Sequence, residues 1–160
     1  MQQANDFLWE TESLAEILKD FLDLDFRQVT QFKGWTIEDI LGHLHMFNVA
    51  ADLTLEDSSK FEAFFLNINK EMASGKTLLQ SQYPWLNGLY GKKLYNAWID
   101  GSRRTAENYI NADPKTRVKW AGPEMSARSS ITARQMETWA HGHEIFEVLG
   151  IKREETDRIK

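Results

Sequence analysis

The 160-residue chain has no cysteine. That absence removes disulfides, thiolate metal sites, iron–sulfur clusters and cysteine nucleophiles in one step. Any metal its side chains hold must take nitrogen and oxygen donors. Proline, at 3 residues, and glycine, at 9, are scarce, so few positions interrupt a helix. No apolar run approaches the ~20 residues that span a bilayer. The amino terminus lacks a basic region before Phe7-Leu8-Trp9, and Glu10 breaks that run, which is not the pattern of a signal peptide. The expectation is a soluble, cytoplasmic protein. Basic charge is also short: the net charge is −5 and the pI near 5.4. Lys92-Lys93, Arg103-Arg104 and Lys152-Arg153 are isolated pairs that read as solvated helix faces, not as a phosphate-binding surface. Neither nucleic acid nor a membrane is an expected partner.

What is present is helical periodicity, in a chain long enough for one domain with a real core. Leu14, Ile17, Leu18, Phe21 and Leu22 follow one helical face and predict a helix from about Asn5, its N-cap, to Leu24. Residues 25–35 read as a connection. Thr36 and Asp39 form an acidic capping box flanked by Trp35 and Ile40 as a hydrophobic staple, and the period then runs to about Leu55. A shorter helix is expected over Lys60 to Met72, and Ala73 to Gly88 is the least regular stretch. Another long helix is expected from Leu89 to Asn111, before Asp113-Pro114. Val118-Lys119-Trp120 reads as a short extended piece ahead of the Gly122-Pro123 turn. The last helix is expected to begin between Ser129 and Thr132 and to end at Leu149, closed by Gly150. Four long helices and one short one predict an all-α bundle.

The histidines are unevenly placed. The chain has 4, as His43-Leu44-His45 and His141-Gly142-His143. Two residues on a helix are about 200° apart, so each pair offers one inward side chain. His43 shares its face with Ile40, Phe47 and Ala50 and is expected to point inward. His45 accompanies Leu41, Asn48 and Asp52 and is expected at an edge. Glu137 lies one turn before His141, so the two side chains can grip one ion. His143 lies with Met136, Trp139, Phe146 and Glu147, the more apolar face. Periodicity alone does not choose between the last two histidines; the carboxylate one turn before His141 favours it. Glu144, three residues beyond His141, is a candidate further ligand, an acceptor for an imidazole N–H, or a nearby base.

His43, Glu137 and His141 make a two-histidine, one-carboxylate set suited to a divalent metal in a bundle core, with a position left open for water or substrate. Zinc, nickel, iron(II) and manganese all accept such ligands. The competing reading makes the same histidines hydrogen-bonded core residues, Glu137–His141 a simple surface pair, and the tryptophans core or staple residues. No Gly-rich phosphate loop, GxSxG elbow or HExxH motif is present.

Gly34-Trp35-Thr36-Ile37-Glu38-Asp39-Ile40-Leu41-Gly42-His43-Leu44 resembles the opening of the second helix in the DinB-like superfamily. More closely, it is similar to the metal-binding N-terminal domain of the mycothiol-dependent maleylpyruvate isomerase type. Glu137-Thr138-Trp139-Ala140-His141-Gly142-His143-Glu144, with the residues from Thr132 that precede it, resembles that branch's E-x-x-x-H-G-x-[DE] signature. Trp120-Ala121-Gly122-Pro123-Glu124-Met125-Ser126 is similar to its lead-in.

The resemblance implies an up-and-down four-helix bundle with a long crossover and one short extra helix. It implies zinc or another divalent metal on His43, Glu137 and His141, and it places no ligand at His143. It also implies use of a low-molecular-weight thiol whose pKa the metal lowers, an expectation that suits a chain without its own thiol. Residues 1–160 are then one domain, either standing alone or as the N-terminal part of a two-domain protein. The expected activity is metal-dependent thiol transfer to, or isomerisation of, a small electrophilic metabolite. The alternative is a non-catalytic metal-binding, ligand-binding or stress-response module of the same fold. A small-molecule substrate and, through a helix face, a second copy in a homodimer are the candidate partners.

Overall fold

Six α-helices carry most of residues 1–159, the residues described in the computed structural model of the chain. They are α1 (Gln2–Leu18), α2 (Ile37–Glu56), α3 (Ser58–Ala73), α4 (Leu78–Leu86), α5 (Gly91–Ile110) and α6 (Ala127–Leu149). Two short strands, β1 (Arg117–Val118) and β2 (Met125–Ser126), pair antiparallel between α5 and α6. None of the described helices is long and apolar enough to cross a membrane.

α1 starts before Asn5 and stops before Phe21. The Leu22 N–H donates to the Asp25 carboxylate at 2.7 Å, a local bond that competes with helix continuation. A 3-10 turn over Asp23–Arg27 follows. α2 begins where its capping box requires: the Thr36 hydroxyl accepts from the Asp39 N–H at 3.1 Å, and the Asp39 carboxylate accepts from the Thr36 N–H at 2.9 Å. α6 opens at Ala127, ahead of the expected range, because the Ser126 hydroxyl accepts from the Ser129 N–H at 3.1 Å. Gly150, with φ +65°, closes it.

α1 and α2 each pack against both α5 and α6. The Met1 ammonium donates to the Ile110 carbonyl at 3.1 Å, while the Tyr95 hydroxyl donates to the Ala15 carbonyl at 3.0 Å; α1 and α5 are therefore antiparallel. α2 and α5 run parallel. Glu38, at the start of α2, accepts from the Gly91 N–H at 3.1 Å, and Ala51, toward its end, accepts from the Tyr109 hydroxyl at 2.8 Å. α6 returns alongside α1, with Ser130 beside Tyr109 at 3.0 Å and His141 reaching back to His43. The order is up, down, down, up, and the parallel α2–α5 pair requires a crossover. That crossover carries two helices, α3 and α4, where periodicity anticipates one.

α4 occupies the stretch expected to be least regular. Its signal is Thr77-x-x-Gln80, a second capping box: the Thr77 hydroxyl accepts from the Gln80 N–H at 3.1 Å and Gln80 answers at 2.9 Å. Pro84 lies inside its 9 residues and, with Gly75, masks the pattern. Because the crossover covers α2, His45 is buried and not at an edge. Its ring lies 5.4 Å from that of Trp85, and a Cβ on Gly101 would come within 3.3 Å of it. Leu14, Leu18, Ile40, Leu44, Trp98 and Ile145 centre the main core beneath these helices.

Candidate metal centre

α2 and α6 face each other along the bundle, and their sequence phase decides what meets between them. His43, in the second turn of α2, is 7% exposed. Glu137 and His141 sit one turn apart on α6. The Glu137 Oε2 lies 3.0 Å from His141 Nε2 and 3.4 Å from His43 Nε2, and the two imidazole rings are 4.7 Å apart. One donor atom from each of the three residues falls within 4.8 Å of the others. The Glu137 side chain is 41% exposed and the two histidines far less, so the cluster opens to solvent on the carboxylate side.

Sequence reasoning missed the residues that fix this cluster. Gln82 on α4 is fully buried, and its Oε1 accepts from His43 Nδ1 at 3.0 Å. Phe32 comes from the connection before α2, which folds back through the Thr30 N–H and hydroxyl, both donating to the Trp35 carbonyl at 2.8 and 2.7 Å. Lys33 and Gly34, with φ of 53° and 71°, make the turn between them. Phe32 then meets the His141 ring edge-on at 5.1 Å, while Trp35 stacks parallel to it at 6.3 Å. Phe47 lies 4.8 Å from the His43 ring. Aromatic walls thus enclose both imidazoles and limit their rotation.

Contacts from His141 and then His43 hold the Glu137 carboxyl well below the usual carboxylate range, against the opposing effect of burial. Burial pushes His43 down from its ordinary value, opposed by its contact with Glu137. With Nδ1 bonded to Gln82, Nε2 is the ring nitrogen left to face the Glu137 carboxylate, 3.4 Å away. Zinc with ligand bonds of ~2.0–2.1 Å sets tetrahedral donors about 3.3 Å apart, close to the 3.0 and 3.4 Å observed. The donor set and its spacing fit a divalent metal.

The other two candidates lie apart from the cluster. His143 is half-exposed, 3.7 Å from a Glu147 oxygen, and rests against Trp139. Glu144 is partly buried and forms no hydrogen bond with His141 among the described residues. The buried Arg134, one turn before Glu137, also escaped sequence reasoning; nothing in its spacing distinguishes it from a surface arginine.

The family model described as mycothiol maleylpyruvate isomerase N-terminal domain matches residues 7–146. Two uncharacterized proteins from two strains of Mycobacterium tuberculosis are 30% identical over 131 residues, which is 82% of this chain and 50% of each relative. The chain therefore spans about half the length of the curated relatives it matches. Two crystal structures, of the mycothiol-dependent maleylpyruvate isomerase and of a mutant of it, share the fold with TM-scores of 0.63 and 0.64. Both are 14% identical in sequence, over 89% of this chain and 59% of theirs.

Proposed function

The chain belongs to the mycothiol maleylpyruvate isomerase N-terminal domain family. On that premise we propose that His43, Glu137 and His141 hold a divalent cation, zinc foremost, for chemistry between a low-molecular-weight thiol and a small electrophilic metabolite. The observation that carries this reading is the convergence of one donor atom from each of His43, Glu137 and His141 to within 4.8 Å of one another. A bound divalent cation supplies Lewis acidity that lowers the pKa of a thiol reaching it, so that thiolate exists at neutral pH. A chain without cysteine leaves that thiol to come from solution.

The protein's own residues do the positioning. Gln82 fixes the His43 tautomer and aims Nε2 at Glu137. Phe32, Trp35 and Phe47 exclude water from the two imidazoles. Glu144, one turn beyond His141 and free of a hydrogen bond or ion pair among the described residues, is the group we assign as a nearby base. Gln82→Leu removes the tautomer lock without touching a ligand. It is expected to weaken zinc binding about 10- to 100-fold, read by competition with a chromophoric chelator.

The activity is tested by supplying zinc-loaded protein with 1-chloro-2,4-dinitrobenzene and a panel of biological thiols, mycothiol among them. Zinc-dependent conjugation with at least one thiol is expected. Stoichiometric zinc without conjugation by any thiol would favour the second reading, a non-catalytic metal-binding or ligand-binding module.

A further inference from the structure

Arg134, three residues before Glu137 on α6, forms no hydrogen bond from its side chain and no ion pair among the described residues. It is 5% exposed, and its Nη1 is fully enclosed and unsatisfied. The guanidinium sits over two aromatic rings, 5.7 Å from the Phe47 centroid and 5.5 Å from that of Trp120. Both rings are partly exposed, as is Glu137.

Geometry ties this cation to the triad. Arg134 precedes Glu137 by three residues, on the same face of α6, and Phe47 follows His43 by four on α2. Phe47 touches both sites, lying 4.8 Å from the His43 ring. The arginine therefore lies next along the α2–α6 seam, toward the start of α6. Burial pushes its pKa down to about 10, opposed by the nearby Glu137 charge, so it stays cationic at neutral pH. A buried cation lacking hydrogen bonds is costly unless an anion completes it. Planar N–H forks match carboxylates in two-pronged fashion.

We propose that Arg134 is an anion-binding residue that receives the carboxylate of a small ligand whose other end lies at the His43–Glu137–His141 cluster. This rests on the proposed metal-and-thiol reading and narrows it: one of the two reactants carries a carboxylate. Phe47 and Trp120 hold the guanidinium between them.

Calorimetric titration of zinc-loaded and zinc-free protein tests this with two probe pairs. 3-Mercaptopropionate against 3-mercaptopropionamide places the carboxylate on the thiol. Crotonate against crotonamide, with 2-mercaptoethanol present, places it on a separate electrophile. In at least one pair the acid is expected to bind zinc-loaded protein ten-fold or more tightly than the amide. Arg134→Met, which keeps an apolar filling between the two rings, is expected to erase that preference and leave the amide within two-fold. Arg134→Lys retains the charge and is expected to keep part of the preference. Equal affinity for acid and amide in both pairs overturns the proposal, as does an equal loss of both probes in Arg134→Met with an unchanged melting temperature. If zinc alters neither thiol's binding, the metal reading fails separately, and acid preference in the zinc-free protein still judges Arg134.

Discussion

His43→Ala and His141→Ala are each expected to lose zinc on dialysis, while His143→Ala keeps about one ion per chain, measured by elemental analysis of untagged protein. Each of the first two changes removes one of only three donors. Second-shell changes alone cost metal sites about 10- to 100-fold, so loss of a donor should exceed 100-fold. His143 lies outside the cluster, and its removal costs only an exposed ring against Trp139. The His43 variant also strands Gln82, whose Nε2 already lacks a partner, so a melting curve must accompany it. His141→Ala leaves that buried amide pair intact and is the cleaner test. Retention of zinc in His141→Ala, or its loss in His143→Ala, would sink the assignment.

Acid should release the same ion, because protons compete with metal for imidazole nitrogen. The loss is expected to begin as pH falls below about 6.5, the ordinary histidine value. Burial lowers the pKa of His43, so proton competition there sets in later on acidification.

The ligands were legible because helical phase fixes them. Four residues of separation put Glu137 and His141 on one face, and the apolar neighbours of His43 turned it inward. Capping chemistry was equally local: Thr36 with Asp39 set the start of α2. What stayed hidden depends on contacts distant in sequence. Gln82 is 39 residues from His43 and lies on a helix that Gly75 and Pro84 disguise. Phe32 reaches His141 only because Lys33-Gly34 reverses the chain. Arg134 looks like a solvent residue until Trp120, brought over by the β1–β2 turn, covers it. His45 failed for a related reason. Its neighbours Asn48 and Asp52 suggest a wet face, but α5 covers them: the Asn48 amide N–H donates to Ser102, and the Asp52 carboxylate accepts from Thr105 and Asn108. Amphipathic phase assumes one buried side, and α2 has more than one.

That buried His45 predicts a measurable acid weakness. Burial, reinforced by the positive charge of Arg104, pushes its pKa down to about 4, and its Nδ1 has no hydrogen-bond partner among the described residues. The unfolded chain takes up a proton near the ordinary 6.5, while the folded protein resists until about 4. The unfolded state thus binds more protons across that window, so stability is full above 6.5 and drains away as pH falls toward 4. Between pH 7 and 4.5 the loss from this one ring is about 2 kcal/mol. Glu10 and Asp52, raised by burial, work in the opposite direction, so absolute slopes mislead and a difference is required. His45→Leu fills the space beside Trp85 with a group that does not titrate. Urea unfolding of zinc-free protein at the two pH values should show the variant losing about 2 kcal/mol less than the wild type. Equal losses in the two proteins would mean that His45 is protonated within the fold, and that the crossover does not seal α2 from water.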